Sequence, residues 1–278
     1  MNHKKRTALI ANNHPVISIA RQTKLLGISR SSIYYQPVID EQDIRAMNAI
    51  DEIYTDHPFY GSRRVRYELK DEHGISIGRH HIRRLMRLMG LEAVYPKKRM
   101  NTSIADDSHR KYPYLLNGVI PRYPNQIWGT DITYVRLEHG WAYLMALMDW
   151  FSRYVLAWEL SPALETAFCV SALHNALEIG TPAFHNSDQG KQFTDKTYIT
   201  LLEEQNIRIS MDGRGRCMDN IFTERLWRTV KYENIYLKSY QTIDEAREGL
   251  IDYFQFYNTK RRHQSLQDRT PEYVFFNH

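Results

Sequence analysis

The segment from residue 125 to residue 211 changes its hydrophobic period partway along, and that change leaves few folds open. NQIWGTDITYVRL (125–137) alternates, is rich in β-formers, and runs into His139-Gly140, a turn signal. WAYLMALMDWF (141–151) is a continuous apolar run, as expected of a central strand covered on both faces. SRYVLAWELS (152–161) follows after a short turn. Three strands in succession, joined by tight turns, predict an antiparallel meander. The period then becomes helical. ETAFCVSALHNALEIG (165–180) stops at Gly180, PAFHNSD (182–188) is a short strand, TDKTYITLLEEQNI (194–207) is a helix with Thr194 as its cap, and IRISM (207–211) is a last strand. The order βββαβαβ predicts an α/β fold on a mixed five-stranded sheet, antiparallel first and crossing over in parallel later.

Three carboxylates fall at chosen places on this scaffold. Asp131 lies inside the first strand, where an unpaired carboxylate is costly. Asp188 lies just past the C-terminal end of the fourth strand, where α/β sheets place ligands. Glu224 sits in DNIFTERLWRTVKYEN (219–234), a helix opened by Asp219-Asn220. Glu224, Arg228 and Lys231 are spaced i, i+4 and i+7 and share one helical face. Acids from separate elements can converge as oxygen ligands for hard cations such as Mg²⁺ or Mn²⁺. Two such ions, about 3.5–4 Å apart, activate an attacking oxygen and stabilise a leaving one at phosphorus. Lys231 would hold the phosphodiester beside them. Asp149, closing the second strand, is a competing acid that spacing alone does not exclude.

The first 112 residues look helical and basic. In SIARQTKLLGISRSSIYY (18–35), Leu25, Leu26, Ile28 and Ile33 are the apolar positions, Gly27 ends a helix and Ser29 caps a second. This is a helix-turn-helix pattern. In a second module, Ile44, Met47, Ile50 and Ile53 recur at helical spacing before Pro58. Ser62 caps the next helix, whose Val65 and Leu69 face inward while Arg63 and Arg64 point elsewhere. A third helix buries Ile82, Leu85, Met86 and Met89 and leaves Arg79, Arg83, Arg84 and Arg87 on a basic face suited to phosphates. The stretch from Tyr95, with Lys97, Lys98 and Arg99, has no apolar period and reads as an exposed basic linker. Charge follows this division. Residues 1–112 carry 20 basic and 12 acidic side chains, 113–212 carry 6 and 11, and 213–278 carry 11 and 9. A basic front and an acidic middle suit a polyanion binder built around an acidic site. The expected domains are therefore 1–40, 41–95, a linker at 96–120, the α/β unit at 121–235 and a helical extension at 236–278.

Other classes fall away. No apolar run is long enough to cross a membrane, and the N-terminus lacks a signal-peptide core. Cys169 and Cys217 do not form a CxxC pair, so neither a disulfide framework nor a cysteine zinc site is expected. A cytoplasmic, reduced protein is the expectation.

WGTDITYV, NSDQGKQFT and DNIFTERLWRTVKYE resemble the three catalytic motifs of the DDE transposase and retroviral integrase superfamily. The 35 residues between Asp188 and Glu224 match its D,D-35-E spacing. The chain most resembles the OrfB transposases of the IS-three group of insertion sequences. FYGSRRV and IRRLMRLMGL are similar to their helix-turn-helix-like module, and FYNTKRRHQSL with TPEYVF to their C-terminal signature. The resemblance implies a ribonuclease H-like catalytic core. It makes Asp131, Asp188 and Glu224 the catalytic residues and ligands of two Mg²⁺ or Mn²⁺ ions per site, and Lys231 the contact to the DNA end. It leaves Asp149 outside the catalytic three and gives Tyr257, Asn258, Arg261 and His263 to the C-terminal motif. It implies 3′-end cleavage and strand transfer at terminal inverted repeats and target DNA, by a dimer or higher oligomer that is nucleoid-associated when bound. An OrfA partner or a frameshift fusion would supply the leucine zipper, since no heptad run is present. Asn186 stands where relatives carry His, Lys191 where Ser is common, and Thr23 where many helix-turn-helix units carry Ala. A nuclease of the same fold without strand transfer, and a DNA-binding regulator with inert acids, remain the alternatives.

Overall fold

A computed structural model describes residues 3–34, 40–94, 112–212 and 220–278. The chain divides into two compact units, Met1–Glu92 and Ala93–His278.

The first unit is helical: α1 (His3–Thr7), α2 (Ile19–Leu26), α3 (Ser31–Tyr34), α4 (Glu41–Asp56), α5 (Ser62–Asp71) and α6 (Arg79–Leu88). Ser18 caps α2, and Gly27 ends it in the left-handed conformation that the turn pattern demands. The buried face of α2 differs from expectation. Leu25 is exposed, while Gln22 and Thr23 are buried. The preceding loop crosses this face and needs hydrogen bonds more than apolar area: the Gln22 amide donates to the carbonyls of Ala11 and Ile17 and accepts from the Ala11 amide. Ser29 does not act as the expected cap; its hydroxyl meets that of Ser31, and α3 is only four residues long. Asp40 caps α4, whose buried residues are Ala46, Ala49, Ile50 and Ile53. Ile44 is exposed and Met47 half-buried, because small alanines take the face that packs on α5 and α6. Gly61 holds the cap position of α5, so Ser62 is the first helical residue, and its hydroxyl accepts from Arg79 Nε at 3.4 Å. Val65, Leu69, Ile82, Leu85 and Met86 are buried as the periodicity predicts.

The second unit is a five-stranded sheet of order β3-β2-β1-β4-β5. The strands are β1 (Ile127–Arg136), β2 (Trp141–Asp149), β3 (Val155–Ser161), β4 (Phe184–Ser187) and β5 (Arg208–Met211). β1 pairs antiparallel with β2, and β2 with β3; β4 runs parallel to both β1 and β5. This is the expected mixed ribonuclease H-like sheet, with β1 at its centre. Helices α7 (Thr166–Leu177), α8 (Lys191–Thr194) and α9 (Lys196–Glu204) connect the later strands. Asp195, accepting from the Thr197 amide, caps α9; Thr194, the expected cap, instead closes the one-turn α8. After β5 come α10 (Ile221–Val230), a π-helical turn (Lys231–Ile235), α11 (Tyr236–Lys238), α12 (Ile243–Thr259), a short 3₁₀ turn and α13 (Pro271–Phe276).

Two apolar layers flank the sheet. Ala142, Leu144, Ala146 and Met148 face Leu226, Val230, Leu250 and Phe254 of α10 and α12. Trp128, Met145 and Leu147 face Cys169, Leu173, Tyr198 and Leu202 of α7 and α9. The C-terminal extension is thus part of the core. Residues 112–120, expected as linker, also pack on it: Leu116 is buried beside Ile127 and Trp150, and the Leu115 amide donates to Ser210 Oγ. No helix among the described residues is long and apolar enough to cross a membrane.

Candidate active site

The parallel pairing of β1 and β4 brings the first two acids together. Gly129 is level with Asn186, so Asp131 and Asp188 lie two residues further along, at the C-terminal end of β4. Asp131 is half-buried. Its Oδ1 accepts from the Ile132 amide at 2.8 Å and its Oδ2 from the Trp227 indole at 3.0 Å. Burial, then the nearby Asp188 charge, pushes the Asp131 carboxyl up to about 7, and the Asp212 charge adds to the effect. Desolvation by its neighbours also raises Asp188, although the residue keeps an exposed surface. The Gly190 amide donates to Asp188 Oδ1 at 2.9 Å, and a Cβ on Gly190 would stand 2.8 Å from that oxygen. Glycine there lets the loop fold onto the carboxylate.

Asp212, just past β5, braces this loop. Its carboxylate accepts from Asn186 Nδ2 at 2.7 Å, its carbonyl accepts from Gln189 Nε2 at 2.9 Å, and its amide donates to the Ser187 carbonyl. Asn186 is therefore one of three residues, with Ser187 and Gln189, that tie the end of β4 to Asp212 past β5.

Helix α10 lies against β1 at three successive residues. A Cβ on Gly129 would collide with the Trp150 indole and stand 2.9 Å from Thr223 Oγ1, so WGTD needs its glycine for close approach. Asn220 Nδ2 donates to the Thr130 carbonyl at 3.1 Å, and Thr223 Oγ1 donates to Asn220 Oδ1. Trp227 reaches Asp131. Glu224 sits between these two anchors, exposed, with its carboxyl raised by desolvation. Burial lowers the Lys231 ammonium, and the nearby Asp131 charge opposes that shift. Arg228 is exposed, with its guanidinium 5.6 Å from the Tyr232 ring centroid. Among the described residues, no three His, Cys, Asp or Glu side chains gather closely enough to hold a metal ion. The charges of Asp188 and Asp212 both bear on Asp131, and Glu224 stands exposed on α10.

Asp149 is engaged in the fold. It is fully buried, and its oxygens accept from the Asn125 amide, the Ser152 amide and the Ser152 hydroxyl at 2.6–2.8 Å. It closes the β2–β3 turn. Spacing did not reveal Asp212, Trp227 or the anchoring role of Asn220. Their partners lie on other strands, and no motif spacing carries that signal.

In the helical unit, Arg63, Arg79, Arg83 and Arg87 are exposed. Arg64 lies 5.3 Å from the Tyr60 ring centroid. Arg84 is tied to Asp43, which also meets His81, so part of its charge is spent inside the unit. Lys97, Lys98 and Arg99 lie outside the described residues.

A central β1 carrying one acid, a parallel β4 ending in another and a following helix bearing a third define an integrase-type catalytic core. The integrase core domain model matches residues 121–217, a second integrase core domain model residues 205–271, and an HTH-like domain model residues 41–99. The chain is 30% identical to the insertion element IS600 uncharacterized 31 kDa protein of Shigella sonnei, over 89% of this chain and 95% of that one. It is also 30% identical to the transposase for insertion sequence element IS629 of Shigella sonnei, over 80% of this chain and 76% of that one. Among solved structures, the HTLV-2 integrase catalytic core domain in complex with magnesium is similar, at 18% identity and a TM-score of 0.45, over 55% of this chain and 97% of that one. The chain belongs to the insertion-sequence transposases of the IS-three group, OrfB type, which are DDE polynucleotidyl transferases.

Proposed function

We propose that this chain cleaves DNA at the ends of an insertion sequence to free a 3′-hydroxyl, and then joins that hydroxyl to target DNA. The observation that carries this reading is the pairing of Asp131 with Asp188: two carboxyls on adjacent parallel strands, each with a raised proton affinity. An all-oxygen, like-charged pair fits a hard dication. Asp131 and Asp188, with Glu224 as the third ligand, would hold Mg²⁺ or Mn²⁺. Such ions supply charge neutralisation at phosphorus and a more acidic attacking oxygen.

The protein's own residues do the rest. Lys231 places a cation beside Asp131 and binds the phosphodiester, and Arg228 on the same helix extends that contact. Gly190 and Asp212 fix the loop that carries Asp188. Arg63, Arg64, Arg79, Arg83, Arg84 and Arg87 of the helical unit, with Lys97, Lys98 and Arg99, grip terminal inverted repeats through phosphates. Bringing two ends together requires at least a dimer, with OrfA, separate or fused by frameshift, as partner.

Labelled oligonucleotides carrying the element ends test the reading. The expected result is nicked and joined products that disappear to background in Asp131→Asn while DNA binding remains. Nicks without joined products would reduce the protein to a nuclease. Activities unchanged in Asp131→Asn would leave only a DNA-binding regulator.

A further inference from the structure

We infer that Trp227 is a positioning residue for the first acid, and that α10 carries it there as part of a two-point clamp on β1. The inference rests on the metal-dependent reading above. Asn220 fastens the start of α10 to the Thr130 carbonyl, and Trp227, two turns later, fastens it to the carboxylate of the very next residue. Glu224 lies between them, so the clamp that seats α10 also fixes where the third acid stands.

The chemistry of the donor matters as much as its place. Each Asp131 oxygen has one donor, the Ile132 amide on Oδ1 and the Trp227 indole on Oδ2, which stops the carboxylate from turning about its terminal bond. Both donors are neutral, so neither cancels the charge that the ionised carboxylate offers a cation. Its remaining lone pairs stay open. The competing partner is close: the Lys231 charge already bears on Asp131. Without the indole, Asp131 is free to swing onto that ammonium and close the site on itself. Trp227 is 6% exposed and sits in the apolar layer shared by β2 and α12, so the indole cannot easily leave its place. Outer hydrogen-bond partners of metal ligands commonly change metal affinity by about 10–100-fold.

The test is Mn²⁺ binding to the full chain, read from the electron paramagnetic resonance signal of the free ion. Two variants are compared with the native protein: Trp227→Phe, and Trp227 replaced by 3-benzothienylalanine, which keeps the bicyclic shape and lacks the N–H. Affinity is expected to fall about 10-fold in both, with the benzothienyl protein keeping the native thermal transition. If Trp227→Phe fails to fold, the benzothienyl protein still decides. Unchanged affinity in that protein overturns the inference and leaves the metal reading intact. Native protein that binds no Mn²⁺, or binds it equally well as Asp131→Asn, overturns the metal reading and this inference with it.

Discussion

At the scale of single residues, His185 shows how burial sets behaviour that no motif records. It lies fully buried on β4, with Nε2 3.0 Å from the Tyr198 hydroxyl, and Nδ1 has no partner among the described residues. Burial pushes its pKa down to about 3, so the folded protein holds it neutral. An unfolded chain takes up that proton near pH ~6.5. From there down to about pH 3 the unfolded state binds more protons, and stability is lost as the pH falls, by about 1.4 kcal/mol per unit. Asp131, Asp149 and Asp188 work in the opposite sense, because their raised carboxyls take protons more readily in the fold. The effect of His185 therefore shows only as a difference between two proteins. Urea unfolding of His185→Gln and the native chain should give stabilities whose gap changes by about 1.4 kcal/mol per unit between about pH 6 and pH 4; parallel curves would mean that His185 is charged in the fold. The sequence displays Asp131, Asp188 and Glu224 because each sits in a motif with a fixed local spacing. It hides Trp227 because the indole and its carboxylate are 96 residues apart, and their meeting depends on how α10 lands on β1.

At the scale of elements, the turn after α10 carries the next constraint. Lys231–Ile235 winds as a π-helix, one residue wider than an α-turn, and so turns Glu233, Asn234 and Ile235 toward the interior. Arg261 meets Glu233 with two parallel bonds of 2.7 and 2.8 Å, and the Tyr253 hydroxyl donates to the same carboxylate at 3.0 Å. Both charged side chains are almost wholly buried, at 8% and 10% exposure. The C-terminal motif NTKRRH thus serves the core by holding the π-turn, through an ion pair spanning 28 residues. Arg261→Ala should destabilise the protein by about 3–5 kcal/mol, since it strands a buried carboxylate. Arg261→Met combined with Glu233→Met should regain most of that loss in the same denaturant titration; a double variant as weak as the single one would show that the charge itself is not the cause. The succession of three strands, helix, strand, helix and strand was readable from period and turn residues, while the one-turn α8 was not. The π-turn was not either, because its local sequence is compatible with an ordinary helix and the partners that hold it, Arg261, Tyr253, Tyr240 and the Gly249 carbonyl, come from later in the chain. The buried faces of α2 and α4 escaped for a related reason: Gln22 and the two alanines answer to neighbours that a helical period cannot register.

At the scale of the whole molecule, the net positive charge lies in the helical unit. The helical unit, 1–92, carries 15 basic and 10 acidic side chains, the second unit, 93–278, carries 22 of each, and each closes its own core. A ligand that binds only the folded protein protects the region it touches, by an amount set by its concentration relative to its dissociation constant. Amide hydrogen exchange read segment by segment therefore separates the two roles in one preparation. Mg²⁺ should slow exchange in segments covering 127–136, 184–190 and 220–231, where the acids and the α10 clamp lie, and leave 41–92 unchanged. At saturation near 100 times the dissociation constant, the added protection in those segments is about 2.7 kcal/mol for amides that exchange through opening of the site. A short DNA duplex at low salt should protect α5 and α6 even in the presence of a chelator, because phosphate contacts by arginine need no metal. Protection by Mg²⁺ in the helical unit, or its absence from the ends of β1 and β4, would break the assignment of metal chemistry to one unit and phosphate grip to the other.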